Sequence, residues 1–302
     1  MNIWQALVIG LVQGVTEILP ISSTAHLVLA PYVLGISEQP GIAFDVVMNF
    51  GSWVAIMIYF RDVWLDIVVG TLNFCKISVS NYLNHPGREA LKQRTPLFHD
   101  MTVPYEKNEF YQESKRQAYL AFDLVVATVP ALIAAFFFED WIETYARQPQ
   151  VIAGALIIGA VLLWLSDIIG KKHTEINHIS FVQSILIGIG QMFALIPGFS
   201  RSGSTITAAR FSGVARKDAA TFAFLLGAPI ILIATVVKLP EFFAVYQLSI
   251  PSIVAFVSAI IGTYITIHYF FQFIQKQSYL IFVIYRILLG LTIFWLIFEV
   301  SG

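Results

Sequence analysis

The sequence predicts an all-α polytopic membrane protein built from two inverted-topology repeats, each a re-entrant broken-helix hairpin plus three transmembrane helices. Three observations carry this. Of 302 residues, 57% are hydrophobic and only 12% charged, where a soluble domain carries roughly 25% charge; the mean hydropathy is +0.75. Apolar runs near the crossing length of about 20 residues recur along the chain. Two further apolar segments are interrupted by polar clusters of similar make-up, Gln13 to His26 and Gln191 to Thr205.

Composition also bounds the function. The net charge of −1 points to no particular partner, and no nucleic acid is expected. The single Cys75 excludes an internal disulfide framework and a cysteine metal site. A cleaved signal peptide is not expected, since no basic stretch precedes the first apolar run.

In order, Asn2 to Leu19 is apolar up to Pro20, and Thr24 to Leu34 is apolar again but too short to cross. Broken at Pro20-Ile21-Ser22-Ser23, the two pieces suggest a hairpin that enters and leaves on one side. Gly35 to Gly41 reads as a turn, and Ala43 to Phe60 as a full span ending at Arg61. Residues 66–117 read as a polar cytoplasmic loop with, at most, a short interfacial helix around Ile67 to Tyr82. Spans follow at Tyr119 to Phe138 and Val151 to Ile169. Phe181 to Ile196 then runs up to Pro197, and Ser204 to Val214 is a short second arm. Ala219 to Val237, Ile250 to Phe273 and Tyr279 to Phe298 complete the set.

Lysines and arginines near span ends orient the chain. With Arg61, Lys115, Arg116, Lys171, Lys172, Arg216, Lys217 and Lys276 in the cytoplasm, every span alternates, and Glu139, Asp140, Glu143 and Glu241 fall outside. This requires both interrupted segments to be re-entrant. Residues 1–169 and 179–298 then become two copies of opposite orientation within one membrane domain, an arrangement that places sites near the midplane where broken helices meet.

The polar residues inside these hairpins need a reason to be there, since a charged side chain at the bilayer centre costs about 2.5–3.5 kcal/mol or more. Ser22, Ser23 and Thr24 open one short helix; Ser200, Arg201, Ser202, Gly203 and Ser204 open the other. Hydroxyl caps and free N–H groups at two helix starts, with one arginine fork, suit an anion, and phosphate above all. Glu17 is expected to meet Arg201. Gln13 lies four residues before Glu17 on the same helix face, so the two can hold a hard divalent cation completed by phosphate. His26 can serve as acid, base or nucleophile, and Ser23 is a competing nucleophile.

Plainer readings stand beside these. Glu17 and Arg201 can be a purely structural ion pair, and His26 a packing histidine. Ser166, Thr263 and Thr266 read as helix–helix glue, Asp45 and Asn49 as caps or supporting groups, and Gln191 as a counterpart of Gln13 that satisfies broken backbone. Arg286, inside the last apolar run, either snorkels or pairs within the bundle. His85, His99, His173, His178 and His268 have no motif around them.

Gln13-x-x-x-Glu17, Leu19-Pro20-x-Ser22-Ser23-Thr24-x-His26 and Pro197-Gly198-Phe199-Ser200-Arg201-Ser202-Gly203 resemble the motifs of the undecaprenyl-diphosphate phosphatase family of bacterial inner membranes, also known for bacitracin resistance. Ala25 stands where the family usually has glycine, and the polar stretch near 70–117 is longer than expected for the family. The resemblance implies hydrolysis of undecaprenyl diphosphate to undecaprenyl phosphate and inorganic phosphate, which recycles the carrier for peptidoglycan synthesis. It also implies Mg²⁺ or Ca²⁺, a site open to the periplasm, and functional roles for Glu17, Ser23, Thr24, His26, Ser200 and Arg201. A homodimer is left open. The rival expectation is a secondary transporter or flippase for a prenyl phosphate lipid. The other integral-membrane lipid phosphatase superfamily is set aside, because its Pro-Ser-Gly-His signature does not occur.

Overall fold

The computed structural model describes residues 1–36, 42–83, 108–170, 174–245 and 249–301. Its eleven α-helices are α1 (Ile3–Ile18), α2 (Ser23–Val33), α3 (Ile42–Tyr59), α4 (Arg61–Leu83), α5 (Glu109–Trp141), α6 (Pro149–Ile169), α7 (Phe181–Met192), α8 (Arg201–Phe211), α9 (Arg216–Val245), α10 (Ile250–Lys276) and α11 (Leu280–Ser301). Helix starts follow local chemistry. Asn2 and Ser180 each form a capping box with the Gln at the third helical position, and Pro149 sits at the first turn of α6, where its missing N–H costs nothing.

Among the described residues, six stretches are long and apolar enough to cross a membrane: Arg61–Ser80, Glu109–Phe138, Pro149–Ile169, Arg216–Pro240, Ile250–Lys276 and Leu280–Glu299. α1, α3 and α7 are apolar but shorter. This is a multi-pass, all-helical membrane protein.

Contacts between side chains fix which way neighbours run. α1 and α10 are parallel: Gly10 abuts Ala255 and Ser258, while Gly14 abuts Ala259 and Thr263. α3 also runs with α10, Phe50 lying on Phe256 and Tyr59 on Tyr264 and Phe271. α7 runs with α5, pairing Phe181 with Phe122, Ser184 with Asp123 and Gly188 with Ala127. α6 runs with α8, Gly159 lying by Phe199 at the start of α8 and Asp167 by Arg210 near its end. α9 opposes α3, α11 opposes α6, α8 opposes α7 and α2 opposes α1. α10 and α11 oppose each other across a short turn, Phe273 lying on Phe282. Chained together, these relations point α1, α3, α6, α8 and α10 one way and α2, α5, α7, α9 and α11 the other.

The stretch expected to be a polar loop, 66–117, is different. α4 is a helix of 23 residues, and α5 begins at Glu109, ten residues before the expected span. The two pack antiparallel, Gly70 against Gln117 and Phe74 on Tyr111. α4 therefore points the way α3 does and pairs with the first turns of α5. α5, at 33 residues, is about 50 Å long, well beyond the ~30 Å hydrocarbon layer. The short helix expected around Ile67 to Tyr82 is there and is longer, running from Arg61 to Leu83. Residues 84–107 lie outside the described set, as do His85, His99, Lys171, Lys172, His173 and most of the expected 35–41 turn.

The largest buried cluster draws on every helix except α2 and includes the aromatic group Phe60, Phe222, Phe224, Phe270 and Phe271. The two breaks, after Ile18 and after Leu195, meet beside it.

Candidate active site

Both breaks are built alike. Ser22 and Ser200 are the two non-glycine residues with positive φ among the described residues, at 73° and 68°. Each immediately precedes a short helix and turns its hydroxyl onto that helix's first turn: Ser22 Oγ accepts from Ala25 N–H at 3.4 Å, Ser200 Oγ from Gly203 N–H at 3.2 Å. Each follows a buried glutamine by nine residues (22 − 13 and 200 − 191). A serine in this region is strained by about 1–3 kcal/mol and persists only where its surroundings hold it.

Across the breaks, Arg201 Nη2 donates to Glu17 Oε1 at 2.7 Å. Glu17 Oε2 accepts from Ser23 Oγ at 2.7 Å and from Gln13 Nε2 at 3.2 Å. The same Gln13 Nε2 lies 2.6 Å from Asn49 Oδ1 on α3. The Glu17 side chain is 8% and the Arg201 side chain 14% exposed, so neither is solvated like a surface pair. Arg201 Nη1 is buried without a hydrogen bond. Gly227 on α9 makes room for it, since a Cβ there would collide with Nη1. A cavity of about 210 Å³ opens over this group, and its polar walls are Glu17, Ser22, Ser23, Thr24, Asn49, Ser200, Arg201 and Thr235. Ser202 and Gly203 stand behind it: Ser202 Oγ bonds Leu19 O and Ser200 Oγ, and Gly203 N–H is held by Ser200.

The family model of the bacitracin resistance protein BacA matches residues 6–292. The chain belongs to the BacA family. Similar curated proteins, each called undecaprenyl-diphosphatase, include one from Gemmatimonas aurantiaca, 35% identical over 97% of both chains. Those from Alteromonas mediterranea (37% identical, 99% of this chain and 100% of its own) and Teredinibacter turnerae (38%, 97% and 99%) match as fully. These are names of enzymes, which disfavours the transporter expectation.

In this BacA protein the structure brings together Glu17, Ser22, Ser23, Thr24, Ser200 and Arg201, as the sequence led us to expect. It places His26 elsewhere. Its ring stacks on Tyr285 at 5.6 Å between centroids and 5° between planes. Nδ1 lies 2.8 Å from Ser22 O, which can only accept, so Nδ1 carries the proton; Nε2 then accepts from the Tyr285 hydroxyl at 2.6 Å. Both nitrogens are engaged, and the ring lines a second, apolar cavity of about 510 Å³ between α1 and α11.

The cavity lining can be compared with what a divalent cation requires. Among the described residues there is no group of three or more His, Cys, Asp or Glu, and the lining holds one carboxylate, Glu17. Gln13 Oε1, beside it, is buried with no hydrogen-bond partner. One carboxylate does not make an all-protein cage; Gln13 lies outside the cavity lining and turns Nε2, not Oε1, toward Glu17.

Other expectations resolve in detail. Thr263 ties three helices, donating to Gly14 O and accepting from the Ser52 hydroxyl, whereas among the described residues Thr266 and Ser166 bond within their own helix. Gln191 Nε2 reaches Ala127 O at 3.5 Å. Sequence reasoning missed Tyr285, which no motif marks. It also missed a buried charge cluster at the basic end of the bundle. There Arg216 grips Asp167 through Nε and Nη2 at 2.7 and 2.9 Å, with Arg210 and the Tyr279 N–H also on Asp167. Asp167 is a lone acid near the end of an apolar run, and that was the available signal.

Proposed function

We propose that this protein hydrolyses undecaprenyl diphosphate to undecaprenyl phosphate and inorganic phosphate, recycling the lipid carrier of peptidoglycan synthesis and so conferring bacitracin resistance. The observation that carries the chemistry is the 2.7 Å bond from Ser23 Oγ to Glu17 Oε2, in a pocket where the same carboxylate meets Arg201. A hydroxyl on a carboxylate is a nucleophile with its base.

In this reading Ser23 Oγ attacks the terminal phosphorus and passes its proton to Glu17. The P–O bond to the prenyl phosphate breaks, and the electron pair leaves with undecaprenyl phosphate. Arg201, the Ser22, Thr24 and Ser200 hydroxyls and the N–H groups of two helix starts balance the charge on the phosphoryl oxygens. Water then attacks the phosphoserine, and inorganic phosphate leaves as the proton returns to Ser23. A divalent cation, held by Glu17 together with the diphosphate, would supply further charge neutralisation. The apolar cavity between α1 and α11 is a wall for part of the isoprenoid tail, and His26 with Tyr285 closes its end.

The architecture we propose is the inverted repeat: α1, α2, α3, α5 and α6 answered by α7, α8, α9, α10 and α11, with α4 an addition to the first copy. The helix directions support it, since every corresponding pair runs oppositely. So do the matched Ser22 and Ser200 breaks. Arg61, Lys115, Arg116, Arg216, Lys217 and Lys276 gather at one end, which we take as cytoplasmic. The pocket rises between the first half of α3 and the second half of α9, toward the opposite, periplasmic end of an inner-membrane protein.

The test is phosphate release from a C55 prenyl diphosphate by the purified chain, with and without chelator. Ser23→Ala should lower kcat by at least a thousandfold, and acid quenching of the wild type should trap phosphate on Ser23. Wild-type turnover by Ser23→Ala would exclude this route.

A further inference from the structure

Arg286 is fully buried in α11, and no carboxylate lies within ion-pair distance of it among the described residues. Burying an arginine without a counter-ion is costly, so its three donated bonds are informative. Nη1 donates to Pro20 O at 3.3 Å; Nη2 donates to Gly198 O at 3.2 Å and Phe199 O at 2.9 Å. All three acceptors are backbone carbonyls of the two breaks, 266 and 88 residues away in sequence for Pro20 and Gly198. The surroundings are cut to fit. A Cβ on Gly159 would collide with Nη2, and one on Gly203 would stand 2.9 Å from Nη1.

A trans peptide points its C=O and its following N–H in opposite directions. Turning Phe199 O toward α11 therefore turns the Ser200 N–H away from α11. The same grip holds the Ser200 φ of 68° and ties the second break to Pro20 at the head of the first. The guanidinium charge, offset by carbonyl dipoles and no acid, leaves the breaks electropositive.

We propose that Arg286 is a positioning residue for the diphosphate head group: it clamps both breaks from behind, sets the backbone donor at Ser200, and adds positive charge beneath the pocket. This rests on the phosphatase reading. Its prediction is that Arg286 governs turnover and anion affinity while the lipid tail keeps its own binding.

Purified full-length Arg286→Met, of similar length and uncharged, should keep its melting temperature in detergent within a few degrees. Its kcat should fall at least a hundredfold and KM for the lipid should move less than threefold. Inorganic pyrophosphate, measured by direct titration, should bind at least tenfold more weakly. Should Arg286→Met fail to fold, Gly159→Ala displaces the guanidinium while keeping the charge, and should cost at least tenfold in kcat. In an Arg286→Lys background, Gly159→Ala should add less than twofold, because lysine places no Nη2 against the new methyl. Wild-type kcat and pyrophosphate affinity in folded Arg286→Met, or equal losses from Gly159→Ala in both backgrounds, would overturn the proposal. A wild type that binds pyrophosphate but releases no phosphate would remove the phosphatase reading and leave the clamp to be judged on pyrophosphate affinity alone.

Discussion

At the scale of single residues, the site depends on where one carboxylate and one guanidinium can be put. Arg201 uses Nη2 on Glu17 and leaves Nη1 buried and unmatched, so its fork is half free for a phosphate oxygen. Arg201→Lys keeps the charge and loses the fork. Steady-state assays should show kcat/KM falling by about a hundredfold or more, the usual loss for a transition-state donor. Gly227→Ala changes no functional group, yet its methyl takes the place of Nη1. It should reduce turnover at least tenfold while size-exclusion profiles in detergent stay unchanged.

Elements matter through their close approach. α1 carries Glu17 to the break, and its position is set by α10, against which Gly10 and Gly14 lie backbone to backbone. A Cβ on Gly14 would sit 2.6 Å from both Ala259 O and Thr263 N. Gly14→Ala gains helix propensity but must push the helices apart. Overpacking of this kind costs about 1–3 kcal/mol. The expected outcome is a lower thermal midpoint in detergent together with lost activity, since Glu17 is carried one turn further on. The breaks themselves are elements of the same design. Their prolines and serines were plain in the sequence, because Pro20 and Pro197 cannot continue a helix of unbroken hydrogen bonds. The pairing of α4 with α5 was not: a short helix around Ile67 to Tyr82 was legible, but its full length, the early start of α5 at Glu109 and the contact between them come from packing.

For the whole molecule, the candidate site lies where the two breaks meet, and the basic end is locked by Asp167. Its carboxylate takes Arg216 through two nitrogens and also meets Arg210, which bonds Val214 O, Asp167 O and Gly170 O. Asp167→Ala leaves two arginines without their acid. Removing one partner of a buried pair costs about 3–5 kcal/mol. The variant should lose heat stability sharply while retaining turnover at low temperature, because the cluster lies at the end away from the pocket. The orientation has its own test. In a Cys75→Ser background, Tyr145→Cys should react with impermeant thiol reagents in intact spheroplasts, and Lys217→Cys only after lysis. The reverse pattern would invert the proposed topology.

Composition and pattern alone determined that this chain lives in lipid and that two apolar segments break at serine-rich turns, and they singled out Glu17, Ser23 and Arg201, which line one cavity. These properties are local: the solvent selects for apolar runs, and each break is written in its own few residues. Only the tertiary structure decided who meets whom. Glu17 and Arg201 are 184 residues apart, and their meeting depends on the relative direction and depth of two hairpins. The same geometry carried His26 to an apolar cavity with Tyr285, although it stands three residues from Ser23, and placed Arg286 under both breaks. A helix sends neighbouring side chains to different faces, and which face becomes a site is settled by the helices packed around it.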